Sequence, residues 1–294
     1  MNKLKRDKLA ELCTALSQKH GFRPAILEKD YYLTLILKNI NGITGDSVVF
    51  KGGTLFNKIH LNYHRMSEDL DFSYAFSDRL KTRASRSKAI TPIREKIGGF
   101  LKELGFSTGE PTGTGFNNST QYVFNVIYDS MFLGKSDKIK IEISLRAPVY
   151  DKPVLNEVKH LYRDIFTDED LIPGGRILSL SYDEAVAEKL KAAITRLEPA
   201  IRDYYDLKHI NEAGFDFCSG KFVAIFNKKL EEEKYLGDYA VNFGLNSERI
   251  ILLKKQVETD LKPVIRAGEE FNLDEVLEIF NGILQRIKLF KQSD

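Results

Sequence analysis

The stretch Lys51-Gly52-Gly53-Thr54, followed by Ser67-Glu68-Asp69-Leu70-Asp71-Phe72, decides how this chain is read. Glycines let backbone N–H groups come close to a phosphate, and a helix starting there aims its positive end at it. Asp69 and Asp71 are two apart, so on a strand their carboxylates point the same way and can share one hard cation. Leu70 and Phe72 then face the opposite, buried side. Thr54 is placed to cap a short helix over residues 55–61, with Leu55, Phe56 and Ile59 on one side. A phosphate cradle beside two carboxylates points to phosphoryl or nucleotidyl transfer from a nucleoside triphosphate.

Working outward, Ser47 to Phe50 reads as a short apolar strand entering the glycines, and residues 69–74 as the next strand. Upstream, the spacing of Leu4, Leu9, Leu12 and Leu16, and of Ile26, Tyr31, Leu35 and Leu37, predicts helices over 3–19 and 25–40. Downstream, a long polar helix is expected over 78–104, ending at Gly105. Two alternating segments, 121–128 and 138–145, read as strands paired through a hairpin loop over 129–137 that contains Gly134. Pro173-Gly174-Gly175 marks a break, and the pattern from Tyr182 onward is helical almost to the end. The expected fold class is α+β, with a mixed-sheet N-terminal domain over 1–175 and an all-helical C-terminal domain over 176–294.

With 43% hydrophobic and 29% charged residues, the 294-residue chain has the composition of an ordinary soluble globular protein. Its apolar runs are far shorter than a membrane span, and the N-terminus lacks the apolar core of a signal peptide. Two cysteines, Cys13 and Cys218, are too few for a disulfide framework. A cytoplasmic protein with no membrane partner is therefore expected. The net charge of +2 says nothing about nucleic acid, yet Arg79, Lys81, Arg83, Arg86, Lys88, Arg94 and Lys96 crowd together. That run reads either as a solvated helix face or as a track for a polyanion.

Three further groups bear on chemistry. In Lys138 to Leu145 the isoleucines share one face, leaving Lys140, Glu142 and Ser144 on the other. Glu142 is thus either a third metal carboxylate or the partner of Lys140. On the helix from Tyr182 to Leu197, Val186, Leu190, Ala193, Ile194 and Leu197 fall in one apolar arc, with Lys189 and Arg196 stacked on its flank. Lys189 reads as a point charge for a triphosphate or as a snorkelling side chain. Asp203 is placed to orient Lys189, accept a proton or cap the following helix.

Together these motifs resemble the AbiEii/AbiGii and MenT-type nucleotidyltransferase toxins, relatives of the DNA polymerase β-like nucleotidyltransferase superfamily. The resemblance rests on Glu28-Lys29-Asp30-Tyr31-Tyr32-Leu33, on Phe50 to Leu55, on Arg65 to Phe72, on Glu188-Lys189-Leu190 with Arg196, and on Arg202-Asp203-Tyr204-Tyr205-Asp206-Leu207. It runs from about residue 25 to about 212. It implies a polymerase β-like N-terminal domain, and a nucleotide bound by the chain through Lys51, Gly52, Gly53, Thr54, Arg65, Ser67, Lys189 and Arg196. Asp69, Asp71 and Glu142 are the implied ligands of Mg²⁺ (or Mn²⁺). Asp69, Asp71, Lys189 and Asp203 are the implied catalytic residues, with a nucleoside triphosphate as substrate. The implied acceptor is RNA, notably the 3′ end of tRNA, and the implied partner is a neutralising antitoxin in a toxin–antitoxin or phage-defence setting. A metal-dependent nuclease, a small-molecule nucleotidyltransferase and a catalytically silent nucleotide-binding module remain as alternatives. Ser144, standing two residues after Glu142, counts against the nuclease, whose core wants a lysine there.

Overall fold

The computed structural model describes residues 3–109, 112–164, 166–232 and 247–292. It divides into two compact units, Met1–Leu180 and Ser181–Asp294.

The first unit is built on a mixed sheet. Its strands are β1 (Val48–Lys51), β2 (Asp69–Tyr74), β3 (Ser107–Thr108), β4 (Thr114–Phe116), β5 (Gln121–Asp129), β6 (Ser136–Ser144), β7 (Val154–Glu157) and β8 (Arg176–Ser179). They are ordered β3-β5-β6-β2-β1-β8-β7, with β4 paired to β5. β2 runs antiparallel to β1 but parallel to β6, and β1 runs parallel to β8. Strand β6 returns beside β2 only after a long excursion that contains α4 (Arg83–Glu103), as a parallel pair requires.

Helix α1 (Arg6–His20) stops at Gly21, whose φ of 77° makes a left-handed C-cap. Helix α2 (Pro24–Thr44) opens on a proline, suited to the first turn. It packs against α1, α4 and β8, and fifteen of its 21 residues are buried, so its charges must find partners inside the protein. Each polar residue of the Glu28-Lys29-Asp30 run reaches a different loop. Glu28 accepts from Ser130 Oγ (2.7 Å) and the Met131 N–H (3.1 Å) in the β5–β6 hairpin. Lys29 pairs with Asp137 (2.9 Å) and Glu68 (3.5 Å). Asp30 receives Lys58 Nζ at 2.7 Å and the Tyr162 hydroxyl at 2.9 Å. Lys58 completes its shell with Thr34 Oγ1 (2.7 Å) and the Tyr63 hydroxyl (2.6 Å).

Several boundaries differ from expectation, each for a local reason. Strands β5 and β6 extend to Asp129 and from Ser136, so the hairpin loop is shorter than 129–137. Helix α4 begins at Arg83 rather than 78, because Ser77–Arg79 makes a separate 3₁₀ turn and Thr82 and Ser85 form a capping box.

The second unit, among its described residues, is helical: α5 (Tyr182–Thr195), α6 (Ile201–Glu212), α7 (Gly220–Glu232), α8 (Ser247–Gln256) and α9 (Leu273–Gln292). Helix α5 packs on α6 and α7, and α9 packs on α6. Ser181 caps α5 by accepting from the Glu184 N–H. The helix ends at Thr195, so Leu197, expected in its apolar arc, is 97% exposed.

The Asp30–Lys58 pair should dominate the stability of the first unit. Lys58→Ala leaves a carboxylate buried beside two tyrosines and should cost about 3–5 kcal/mol in denaturant unfolding. Lys58→Met combined with Asp30→Leu should recover much of that loss.

Candidate active site

Register across three strands assembles the site. Lys51 of β1 lies opposite Asp71 of β2, and Asp71 opposite Glu142 of β6. Cross-strand partners share a face, so these three form one row, while Asp69 and Lys140 form the next. Leu70 and Phe72 are fully buried on the other face, as the alternation requires.

The glycine pair is packed into this row. Gly52 has φ 80°, and a Cβ there would lie 2.3 Å from Asp71 Oδ2. A Cβ on Gly53 would lie 2.7 Å from Arg65 Nη2 and 3.5 Å from Ser67 Oγ. The loop, Arg65, Ser67 and Asp71 are therefore in direct apposition. Arg65 is buried and donates from Nη1 to the Met66 carbonyl at 2.8 Å.

A short helix, α3 (Gly53–Leu55), starts at the second glycine and runs into a π-helical turn over Phe56–His60. Thr54 is not its cap: Gly52 occupies that position, and no side chain caps the helix. The Thr54 hydroxyl is buried and donates to the Asp69 carbonyl at 2.5 Å, tying α3 to β2.

Burial raises the carboxyl pKa of Asp69, partly offset by Lys140. Burial pushes Asp71 up to about 6, against the pull of Lys51 and with the added repulsion of Glu142. Burial works against the charge of Lys140, yet Asp69, Asp71 and Glu142 hold it above its ordinary value. Its Nζ lies 3.3 Å from Glu142 Oε2. Among the described residues, no group of three or more His, Cys, Asp and Glu side chains is arranged to hold a metal ion. The pair Asp69 and Asp71 nonetheless fits Mg²⁺, which commonly takes one or two carboxylates and completes its shell with substrate phosphates.

Two contacts that spacing does not show bear on this site. Lys140 faces Asp69 only because β2 and β6 pair in parallel, a non-local fact. Lys29 braces Glu68, the neighbour of Asp69, from α2.

The basic helix α4 lies on the other side of the sheet. Arg94 sits over the ring of Tyr122 (5.7 Å) and beside Gly113 and Phe124, on the face opposite Glu142. Arg94 donates to the Thr112 carbonyl, and Arg86 to those of Leu80, Lys81 and Asn118. A cavity of about 610 Å³ lined by Thr91, Arg94, Gly98, Lys102 and Phe106 belongs to that side and contains none of the expected site residues.

In the second unit, Lys189 is buried, with Nζ 2.8 Å from both Asp203 Oδ1 and Asp206 Oδ2. Arg196 Nη1 lies 3.1 Å from Asp203 Oδ2. Asp203 therefore orients the lysine rather than capping α6, whose N-cap is Ala200. On the same helix α5, Glu184 and Glu188 hold Lys229 of α7 at 2.8 and 3.0 Å.

Residues 36–285 match the family described as nucleotidyl transferase AbiEii toxin, type IV TA system. The chain belongs to this family. It is a nucleotidyltransferase and the toxin of a toxin–antitoxin system, which brings an antitoxin as partner. Its fold is shared with MenT4, the nucleotidyltransferase toxin Rv2826c from Mycobacterium tuberculosis H37Rv. The TM-score is 0.59, at 17% identity over 97% of this chain and 90% of that one. JHP933 from Helicobacter pylori matches with TM-score 0.48 and 20% identity, over 92% of this chain and 96% of that one. No curated protein matches the chain. The mixed sheet and helical second unit are the α+β architecture expected. Among the described residues no helix is long and apolar enough to cross a membrane.

The raised pKa of Asp71 gives this toxin a pH signature. The folded chain keeps that proton up to about pH 6, whereas the unfolded chain releases it near its ordinary value of 3.8. Asp71 thus costs no stability in acid, costs more as pH rises from about 4 to 6, and costs a constant amount above. Asp71→Asn should be more stable than the native chain by about 1–3 kcal/mol at pH 7.5, with the gain vanishing toward pH 4. Denaturant titrations in chelator-treated buffer at both pH values measure it.

Proposed function

We propose that the toxin transfers a nucleoside monophosphate from a nucleoside triphosphate to an RNA hydroxyl, the 3′ end of tRNA, in the cytoplasm. The observation that carries this reading is the apposition of Asp71 and Gly52 in the row that holds Lys51 and Glu142. It brings the glycine loop and the paired carboxylates together.

Each residue has a role in this reading. The backbone of Gly52, Gly53 and Thr54 binds phosphate, with Lys51 and Arg65 supplying positive charge and Ser67 a hydroxyl. The Thr54 hydroxyl fixes the Asp69 backbone. Asp69 and Asp71 are the ligands of Mg²⁺ or Mn²⁺, and Glu142, held by Lys140, stands beside them. The chemistry a divalent cation supplies there is neutralisation of charge on the transferred phosphate and a lower pKa for the attacking hydroxyl. In the second unit, Lys189 is the proposed polyphosphate contact, pre-oriented by Asp203 and Asp206 and flanked by Arg196. The acceptor oxygen bonds to the α-phosphorus, the bond to the β-phosphate oxygen breaks, and pyrophosphate leaves as the hydroxyl proton passes to solvent. The antitoxin restrains this activity in the cell.

Incubating the protein with Mg²⁺, each α-³²P-labelled nucleoside triphosphate and total cellular RNA tests the reading. A labelled band of tRNA size is expected, reduced at least about a hundredfold in Asp69→Ala and Asp71→Ala. Shortened RNA without label would replace transfer by nuclease action. Undiminished labelling by both variants would refute the site.

A further inference from the structure

The carboxylate-bearing face of the sheet continues past the proposed site. The pairings Asp71 with Glu142, Glu142 with Val123 and Val123 with Thr114 carry it across β6 and β5 to β4. One row on, Ser144, Gln121 and Phe116 are cross-strand neighbours in the same order. Phe116 stands on that face 47% exposed, and Arg146 just beyond β6 is exposed as well. Three strand spacings, about 14 Å, separate the carboxylates from β4. That is a span of a few nucleotides.

The hairpin tip behind Phe116 is costly to build. Asn117, Asn118 and Ser119 have φ of 49°, 54° and 61°, three consecutive non-glycine residues in the left-handed region. Such a run persists only where its surroundings over-determine it. Here they do. The Thr120 hydroxyl donates to the Asn117 carbonyl (2.7 Å), and Asn117 Nδ2 donates to Gln121 Oε1 (3.1 Å). Arg86 clamps the Asn118 carbonyl at 3.0 Å, and Arg146 Nη2 donates to the same Gln121 oxygen at 2.5 Å. The bonds fix the position of Phe116 and bring the Arg146 guanidinium to its row. The ring itself is left open to solvent.

A rigid exposed aromatic flanked by a cation, on a sheet face that leads to a nucleotidyl-transfer site, matches the chemistry of an unpaired base and its phosphate. We infer that Phe116 and Arg146 form the acceptor platform. A single-stranded RNA 3′ end stacks a base on Phe116, places a phosphate on Arg146 and directs its terminal hydroxyl past Lys140 toward Asp69 and Asp71. This rests on the RNA-acceptor reading above. It also moves the acceptor from the basic helix α4, on the opposite face, to a surface with fewer cations but an open ring.

The test is fluorescence anisotropy of the full chain with a fluorescein-labelled single-stranded RNA decamer, in chelator, beside a duplex of the same sequence. Phe116→Ala should weaken single-strand binding roughly five- to a hundredfold. Phe116→Tyr should restore it, and duplex binding should not respond to either change. Arg146→Gln should lower the slope of log affinity against log salt by about 1. Binding of a fluorescent nucleoside triphosphate, measured in parallel, should match the native chain in all three variants, which also reports that they fold. Unchanged RNA binding in both Phe116→Ala and Arg146→Gln overturns the platform. If the native chain still labels RNA in that case, nucleotidyl transfer stands without it. If the native chain labels no RNA, the acceptor reading itself is wrong and the platform falls with it.

Discussion

The burial of α2 is the constraint from which the first unit follows. A helix enclosed on nearly every side cannot carry Glu28, Lys29, Asp30 and Lys38 unless each finds a partner, and the partners are the loops that shape the site. Lys58, a turn beyond the glycine pair, is drawn to Asp30, so the helix that starts at Gly53 is anchored from below. Lys29 reaches Glu68, next to the first of the two aspartates, and Asp137, on the strand that carries Lys140 and Glu142. Lys38 reaches Asp170 at 2.6 Å and holds the loop that leads to β8. The charges of this helix thus act as staples between a buried core element and the segments that carry the site.

Much of this architecture is legible in the sequence because it is local. The alternation over Asp69 to Phe72 sets which face carries carboxylates, and the glycine pair sets where β1 must turn. What is not legible is non-local. No spacing shows that β2 pairs in parallel with β6, so the facing of Asp69 by Lys140 is invisible until the strands are ordered. The Glu28-Lys29-Asp30 run can be seen as a signature, but its reason is burial, which a run of charges disguises. The basic residues of α4 look like a polyanion track because charge is visible in a sequence. The side of the sheet on which a helix lies is not, and two of those arginines are occupied by backbone carbonyls. Phe116 draws no notice as one aromatic in a short polar segment, and its meaning comes from a face shared with Gln121 and Glu142.

The second unit uses buried ion pairs differently. Helix α5 presents Glu184 and Glu188 to Lys229 of α7, and Lys189 to Asp203 and Asp206 of α6. Buried pairs of this kind add little net stability over apolar contacts, yet stranding one of their charges costs about 3–5 kcal/mol. Helical packing by leucine and phenylalanine alone tolerates a slip of one turn. With both flanks of α5 keyed by charge, a slip strands carboxylates on either side, so these pairs select one register. The same fixing holds the Lys189 ammonium in place, and an ammonium held in advance loses less entropy when an anion joins it.

The glycine pair then has two duties that cannot be separated. A phosphate-binding loop needs glycine so that amides approach the ligand, and that reasoning alone would let the loop sit anywhere near the carboxylates. Here Gly52 is hemmed by Asp71 Oδ2 and Gly53 by the Arg65 guanidinium, so even a methyl group would displace a charged side chain. The loop and the carboxylate row are one packed object, joined further by the Thr54 hydroxyl on the Asp69 backbone. Burial, with Glu142 and Asp69 adding their repulsion, makes Asp71 hard to ionise. A positively charged ligand relieves that cost, and a phosphate held by the adjoining amides would help to keep the cation there. In the proposed site a cation and a nucleotide would therefore be coupled through contacts already in place, and replacing Gly52 would disturb both at once.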